Sequence, residues 1–452
     1  MNAFMIVGTQ QAVSRFVGRD PANANGIRRS AYKLQAMLGG GIFLVMFFGA
    51  PVLATSIYGD PGLATPFRYA SLITLFYAFY AIFMGYLNGT KQFGRQAIVD
   101  FSYSTAKCAF ILGFAYLASG SLGKVGAPVA GFAAAAFAVF VLGRVLSGPA
   151  TGGEDIGVKP LFVFQSFTML FAGFSSFVLQ FDLHVLKILG PEGEAGRTLT
   201  GLYGAAQPFS QIPFTAVFAV TFILFPLVSG AAESAPEKMR GYIRETTRYA
   251  SVIATAIVAL FVACPERTLT ILYAPSYAEA ATALRFLVLG YLAYSPFYIQ
   301  CAILNAAGRP KHSVALIALV AVVQVGVGAM LVGRYGMNGV AFGTLTAMAT
   351  GLVAMQFVFR RLFDQPLVLG VFARTLVAGA IVAVLAHVLL AREAIWGGAG
   401  VLGAIGGTGI VSKLVTVVGF GVLGLVFLGL LFPLRVLDAA DREKFLKVVR
   451  RG

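Results

Sequence analysis

Two ionisable residues lie inside one apolar stretch of this sequence, where an unpaired charge is costly. Lys107 lies about ten residues into the apolar run 98–120, roughly 15 Å deep at 1.5 Å per residue and near the midplane of a bilayer. Asp100 comes seven residues earlier, two helical turns away on the same face. A lysine at this depth should face the bundle interior or a cavity, so we expect either a cavity or coupling role or a buried structural role.

Amide side chains mark another apolar run, 200–230. Gln207 and Gln211 are four residues apart and therefore share a helical face, and Tyr203 belongs to the same run. The run also contains prolines, which bend membrane helices. A bent helix with polar side chains suits the moving wall of a cavity, and ordinary helix packing is the alternative interpretation.

An acid lies near the outer end of the apolar run 160–189. Asp182 is followed by Lys187, but a spacing of five residues does not place the two side chains squarely above one another. Arg68 and Arg285, at the outer ends of two other runs, are possible partners for Asp182. For both arginines, anchoring at the membrane interface is the alternative.

The amino-acid composition is that of a membrane protein. Apolar residues make up 58% of the 452 residues and charged residues 12%, and the mean hydropathy is +0.83. A bilayer crossing needs about 20 apolar residues, and the sequence predicts an all-α, polytopic bundle of transmembrane helices. The predicted runs are 33–57, 68–90, 98–120, 126–146, 160–189, 200–230, 248–274, 281–307, 313–333, 338–360, 369–391 and 410–434, with a shortened segment at 3–17.

The net charge of +16 follows membrane topology and does not indicate nucleic acid. Basic and poorly basic connections alternate along the chain, and the loop 18–32 is rich in arginine whereas 58–67 has no basic residue. We therefore expect the 18–32 loop and the C-terminus on the cytoplasmic side of the membrane, with 437–452 as a basic amphipathic tail on the anionic leaflet. Arg28, Arg29 and Lys33 are interpreted as topology determinants.

The sequence shows no signature of a cofactor, a metal or an enzyme. The cysteines Cys108, Cys264 and Cys301 fall in or near apolar runs, and the three histidines are far apart without ligand spacing. A phosphate-binding GxxxxGK[ST] motif is absent from the sequence. We expect no disulfide, metal site or ATP-driven step.

Residues 56–99 and 271–317 resemble each other and reveal an internal repeat. The aligned pairs, each 217 positions apart, are Arg68 with Arg285, Tyr77 with Tyr294 and Asn88 with Asn305. The arginines fall at the outer ends of their helices and the asparagines at the inner ends. Because six crossings preserve orientation, the repeat predicts two parallel six-helix lobes related by a pseudo-two-fold axis along the membrane normal.

The repeat also sets the expected domains. They are an N-lobe at 1–147, a C-lobe at 148–362, two further helices within 363–436 and the tail at 437–452. Subtracting the repeat offset places the partners of the 160–189 run, and of half the 200–230 run, before residue 1. We therefore expect the N-lobe to lack its first helix and half of its second, through a mis-assigned start, a truncated record or a real shortening.

Several ordered motifs resemble a known transporter family. AVSRFVG (12–18), APVLATSIYGD (50–60), GYLNGTKQFGRQA (85–97) and the block at 179–229 together resemble the polysaccharide and lipid-linked oligosaccharide flippases. This family belongs to the multidrug/oligosaccharidyl-lipid/polysaccharide (MOP) superfamily. The resemblance covers residues 5 to 436 and implies two six-helix lobes with two additional C-terminal helices, which fit 369–391 and 410–434.

The resemblance also implies roles for individual residues. Family members carry a cation near the inner end of the second helix, so Arg15 is expected to face a central cavity, with snorkelling to the membrane surface as the alternative. Asp182 resembles a common family acid that binds a coupling cation or forms an ion pair. The predicted cavity cations are Arg15, Lys107, Arg68 and Arg285; the predicted coupling or ion-pair residues are Asp100, Asp182 and Lys187; the predicted polar residues of the cavity are Gln207, Gln211, Tyr203, Asn88 and Asn305.

The function that the resemblance implies is export of a polyprenyl-diphosphate-linked glycan across a bacterial inner membrane by alternating access. The expected partners are this substrate, the bilayer and glycosyltransferases or a polymerase of the same pathway. Two alternatives remain open: a cation-coupled small-molecule or drug antiporter, and a non-transporting scaffold of a polysaccharide assembly complex.

Overall fold

The computed structural model describes residues 2–57, 61–231, 236–363, 369–391, 410–434 and 436, and these are almost entirely helical. Short π or 3-10 turns occur at Leu53–Ile57, Pro61–Leu63, Pro275–Ala280 and His387–Ala391. The α-helices are α1 Asn2–Arg19, α2 Ala24–Val52, α3 Ala64–Gly89, α4 Phe93–Leu117, α5 Ser119–Leu122, α6 Gly126–Ser147, α7 Lys159–Leu189, α8 Gly193–Ala231, α9 Pro236–Ala263, α10 Pro265–Thr270, α11 Ala281–Ala306, α12 Pro310–Phe363, α13 Leu369–Ala386 and α14 Ile410–Leu430.

The predicted fold class is confirmed: the protein is an all-α membrane protein. Nine helical stretches of the described residues are long and apolar enough to cross a bilayer. The predicted runs 313–333 and 338–360 are the two parts of α12, which meet at Gly336, where φ is 53° and ψ is −132°. The predicted tail at 437–452 lies outside the described residues.

The chain divides into two compact units. The first consists of Met1–Gly173, Phe222–Met239 and Ile303–Val314, and the second of Phe174–Thr221, Arg240–Ala302 and Ala315–Gly452. The first unit thus draws its residues 303–314 from the second sequence repeat. The division into an N-lobe at 1–147 and a C-lobe at 148–362, predicted from the repeat, stays a prediction.

Helix α1 packs closely on α3 because two glycines remove the side chains at the contact. Gly85 and Gly89 are four residues apart, on one face of α3. A Cβ atom at either glycine would lie 2.7 Å from the Cβ of a valine on α1, Val13 or Val17 respectively. Small residues at this spacing allow membrane helices to approach closely, and here they fix the helix that carries Arg15.

We expect Gly85→Ala to destabilise this helix pair by about 1–3 kcal/mol, the usual cost of overpacking. The added methyl would meet Val13 and the backbone oxygen of Gln10, 2.8 Å away. The control is Gly113→Ala on α4, where nothing lies within 4 Å of the added Cβ. Thermal unfolding in detergent should show a lower midpoint for the first variant alone; equal midpoints would contradict the packing.

Candidate functional site

The first unit contains a cavity of about 710 Å³ with several cations in its wall. The end of α1, the start of α7 and the turn between α11 and α12 line it. Four of its described lining residues are cations, and none is acidic. We call this cavity the cation pocket and define it by Arg15, Lys159, Arg309 and Lys311. A cavity with this charge suits an anion.

Arg15 is held in the wall of the cation pocket by aromatic rings. Its guanidinium carbon lies 4.7 Å from the ring centroid of Phe164 and 5.3 Å from that of Phe16. Such contacts favour a cation by about 0.5–2 kcal/mol. Lys311 is similarly placed, with Nζ 5.7 Å from the ring centroid of Phe167.

Gly308 makes room for Arg15. Its φ is +76°, in the left-handed region that favours glycine. A Cβ atom at this position would lie 2.1 Å from Nη2 of Arg15. The turn between α11 and α12 therefore needs a glycine both for its backbone and for the guanidinium beside it.

A buried carboxylate forms a second candidate site, within the second unit. Asp182 is 1% exposed and accepts hydrogen bonds from the hydroxyl of Tyr203 at 2.7 Å and from Nε2 of Gln207 at 2.9 Å. Its own carboxylate also accepts from the backbone N–H of Leu183 at 2.8 Å. The structure thus brings together three residues that the sequence singled out separately, and we call them, with Gln324 and Thr344, the acid cluster.

Gln324 and Thr344 complete the acid cluster from the two parts of α12. The hydroxyl of Thr344 lies 3.5 Å from Asp182 Oδ2 and accepts from Nε2 of Gln324 at 3.2 Å. The amide oxygen of Gln324, Oε1, is buried without a hydrogen-bond partner in the described part of the chain. Sequence reasoning missed Thr344. Gln324 lies 217 positions after Lys107, which is the offset of the internal repeat.

Within the described part of the chain, the side-chain partners of Asp182 are these neutral groups, and its predicted ion pair with an arginine stays a prediction. Arg285 instead contacts Glu266, with Nη2 and Oε1 3.1 Å apart. Lys187 is exposed. Gln211 donates to the carbonyl of Leu179 at 3.1 Å. Burial favours neutral partners for Asp182, because several nearby hydroxyls and amides can satisfy a buried carboxylate without a second buried charge.

Lys107, Asp100 and Arg68 lie apart from the lining of the cation pocket. Lys107 is half-buried, and its Nζ lies 5.0 Å from the ring centroid of Phe132. Asp100 is exposed and accepts a hydrogen bond from the hydroxyl of Tyr80 at 3.0 Å. Arg68 is exposed at the start of α3. Their predicted roles in coupling or substrate binding stay predictions.

The repeated asparagines have a shared structural role in the first unit. Asn88 accepts from the hydroxyl of Ser14 on α1 at 2.7 Å and donates to Gln96 at 2.9 Å. Asn305 donates to Gln11 on α1 at 3.5 Å and accepts from the hydroxyl of Ser313.

Both asparagines are therefore buried between a helix end, the next helix and α1. Gln96 and Ser313 are also 217 positions apart, so the repeat gives each asparagine a polar partner at the same position of the next helix.

Two uncharacterized membrane proteins are similar to this chain in sequence. The chain is 23% identical over 334 residues to the uncharacterized membrane protein YabM of Bacillus subtilis, covering 70% of this chain and 62% of that protein. It is 28% identical over 141 residues to an uncharacterized membrane protein of Methanocaldococcus jannaschii, covering 31% of this chain and 28% of that protein. The chain therefore spans less than two thirds of either relative.

The fold is similar to that of a multidrug resistance MATE family transporter of the MOP superfamily in an outward-facing conformation, with a TM-score of 0.68 and 19% identity. This match covers 80% of the present chain and 84% of that transporter. The family model described as "Polysaccharide biosynthesis protein" matches residues 1–282, which confirms the resemblance seen in the motifs. The chain belongs to this polysaccharide biosynthesis family and has the fold of MOP-superfamily transporters.

Proposed function

We propose that the protein moves a polyprenyl-diphosphate-linked glycan across the bacterial cytoplasmic membrane by alternating access. The observation that carries the proposal is the cation pocket, in which four cations surround a cavity of about 710 Å³. The family model supports a glycan-related role. The basic loops favour a cytoplasmic C-terminus.

The physical requirement is to carry a dianion through a low-dielectric core while its lipid tail stays in the bilayer. A single charge at the bilayer centre costs about 2.5–3.5 kcal/mol on insertion scales. Two opposite charges 4 Å apart attract by about 4 kcal/mol at an effective dielectric constant of ~20. Several cations around one diphosphate can therefore offset the loss of its hydration.

The acid cluster supplies a means of coupling to an ion gradient. Asp182 is buried among hydroxyl and amide groups, and Gln324 offers an amide oxygen without a hydrogen-bond partner in the described chain. A carboxylate with additional oxygen donors suits a proton or a small monovalent cation. In the proposal, occupation of Asp182 by a cation favours one conformation of the transporter over the other.

The test is the flipping of a fluorescent lipid-linked oligosaccharide in proteoliposomes, measured by quenching from the outer face. Protein-containing vesicles should translocate the diphosphate-linked lipid, whereas empty vesicles and vesicles with an unrelated membrane protein should not. Absence of flipping both with and without an ion gradient or a membrane potential would overturn the proposal.

A drug antiporter is the second candidate, because the fold is similar to that of a multidrug resistance MATE family transporter. It predicts gradient-driven efflux of a cationic dye from the same proteoliposomes. The positive charge of the cation pocket favours an anionic substrate, since like charges repel. Dye efflux without glycolipid flipping would favour the antiporter.

Replacing Gly308 by alanine should slow flipping roughly tenfold, because the methyl would displace Arg15, a charged hydrogen-bonding group. Gly123→Ala is the matched control: its φ of +77° imposes the same backbone strain, but nothing lies within 4 Å of an added Cβ. The rates should be compared at equal amounts of folded protein. Equal rates in the two variants would show that the position of Arg15 does not matter.

A further inference from the structure

The segment that joins α6 to α7 is bound to the start of α2 by a dense set of hydrogen bonds. We call residues 147–157 the strap. Arg29 donates to three strap carbonyls, those of Ala150, Gly152 and Gly153, at 3.2, 2.8 and 2.5 Å. Arg28 donates to the carbonyl of Ser147 at 2.8 Å. Arg28 and Arg29, which the sequence analysis interpreted as topology determinants, therefore bind specific backbone carbonyls.

Asp155 anchors the far end of the strap. Its carboxylate accepts from Lys33 and from the hydroxyl of Ser30, both on α2, and from the backbone N–H of Gly157 at 2.9 Å. These contacts, with Lys33 foremost, lower the pKa of Asp155 well below its usual range. The carboxylate is therefore ionised at neutral pH and holds the chain four residues before α7 begins.

The backbones of the strap and of α2 are also closely fitted. A Cβ atom at Gly26 would lie 1.9 Å from the carbonyl oxygen of Glu154. The amide of Glu154 donates to Asn23 Oδ1 at 2.7 Å, and the amide group of Asn25 donates to the carbonyl of Thr151 at 2.7 Å. Gly153, with φ of +77°, supplies the turn. Side chains and backbone together define one position for the strap.

The strap leads directly into the cation pocket. Helix α7 begins at Lys159, and its first turn starts with the bond from the N–H of Phe162 to the carbonyl of Val158 at 2.8 Å. Lys159 lines the pocket only four residues after Asp155. Because so short a segment separates them, the anchor at Asp155 restricts where Lys159 can lie.

We propose that the strap positions Lys159 in the cation pocket, and that Arg29 and Lys33 of α2 are the residues that hold it there. The two cations act on the pocket through the backbone and are positioning residues. The experiment needs no transport, so its failure would leave the proposed flippase function standing.

The first measurement is proteolysis by a glutamate-specific protease in detergent. The bond after Glu154 should be cut at least tenfold faster in the double variant Arg29→Ala with Lys33→Ala than in the wild type. Cleavage after Glu192, in the exposed connection from α7 to α8, gives an internal reference. The charge-matched control is Arg360→Ala with Arg361→Ala, two exposed residues at the end of α12.

The second measurement reports the electrostatic potential inside the cation pocket. Val163, which lines it, is changed to cysteine in a Cys108→Ser background and labelled with anionic and cationic thiosulfonate reagents. The preference for the anionic reagent should fall about fivefold when one nearby charge is displaced. Arg29→Ala with Lys33→Ala should lower it as far as Lys159→Ala does, and the Arg360 and Arg361 control should leave it unchanged.

Two outcomes would overturn the inference. One is equally fast cleavage after Glu154 and Glu192 in the wild-type protein, because the strap would then not be held. The other is faster cleavage in the double variant with an unchanged reagent preference at position 163. The strap would then be bound without positioning Lys159.

Discussion

Replacing Arg15 by alanine is expected to slow the flipping of a polyprenyl-diphosphate glycan by roughly 10- to 100-fold. The range follows from the 1.5–3 kcal/mol contributed by a hydrogen bond to a charged group, at 1.4 kcal/mol per factor of ten. Arg15 lines the cation pocket and is held between Phe16 and Phe164. Its fixed guanidinium can donate two parallel hydrogen bonds to one phosphate.

Conservative and remote replacements make this prediction specific. Arg15→Lys keeps the charge but loses the bidentate geometry, so its rate should lie between those of the wild type and Arg15→Ala. Arg360→Ala removes an exposed cation that does not line the pocket and should have little effect. The rates come from proteoliposomes with matched protein content. A wild-type rate in Arg15→Ala would remove the pocket from the transport path.

Asp182→Asn is expected to abolish the response of transport to an ion gradient. The change preserves the shape of the side chain but removes the negative charge that would bind the coupling cation. In vesicles with an imposed proton or sodium gradient, we expect at least about a tenfold loss of gradient-driven accumulation. Downhill equilibration of the substrate without an ion gradient should persist, because Asp182 is not one of the described residues that line the cation pocket.

Two further variants separate charge from hydrogen bonding. Tyr203→Phe removes one donor to Asp182 and should reduce gradient-driven transport only several-fold, in keeping with about 1 kcal/mol for a hydrogen bond. Glu266→Gln removes a more exposed acid that contacts Arg285 and should leave coupling intact. If Asp182→Asn retained a full response to both gradients, the acid cluster would have only a structural role.

The helices were predictable from the sequence because their signal is local. Long apolar runs and alternating basic loops indicate crossings directly, and the kink at Gly336 separates the two runs that α12 joins. Asp182, Tyr203 and Gln207 were each recognised in the sequence as polar residues in apolar runs, but their contact with one another was seen only in the structure. Thr344 was missed, since it lies 162 positions from Asp182 and a threonine in a membrane helix is unremarkable by itself.

The composition of the cation pocket depended on tertiary structure. Arg15 was singled out through the family resemblance. The other three cations, Lys159, Arg309 and Lys311, lie at the start of α7 and around the turn between α11 and α12. Basic loop residues ordinarily report topology, and nothing local distinguishes those that converge on a cavity. The strap was missed for the same reason: Arg29 binds backbone carbonyls more than 120 positions away, and a backbone acceptor has no sequence signature.

Equilibrium binding of lipids to the protein in nanodiscs tests the central claim most directly. The wild-type protein should bind a polyprenyl diphosphate at least roughly 100-fold more tightly than the uncharged polyprenol of the same length, because hydrogen bonds to charged groups each contribute about 1.5–3 kcal/mol. In the triple variant Arg15→Ala, Lys159→Ala and Lys311→Ala, the two lipids should bind almost equally. A triple variant that kept the full preference for the diphosphate would contradict the assignment of the cation pocket as the site of the head group.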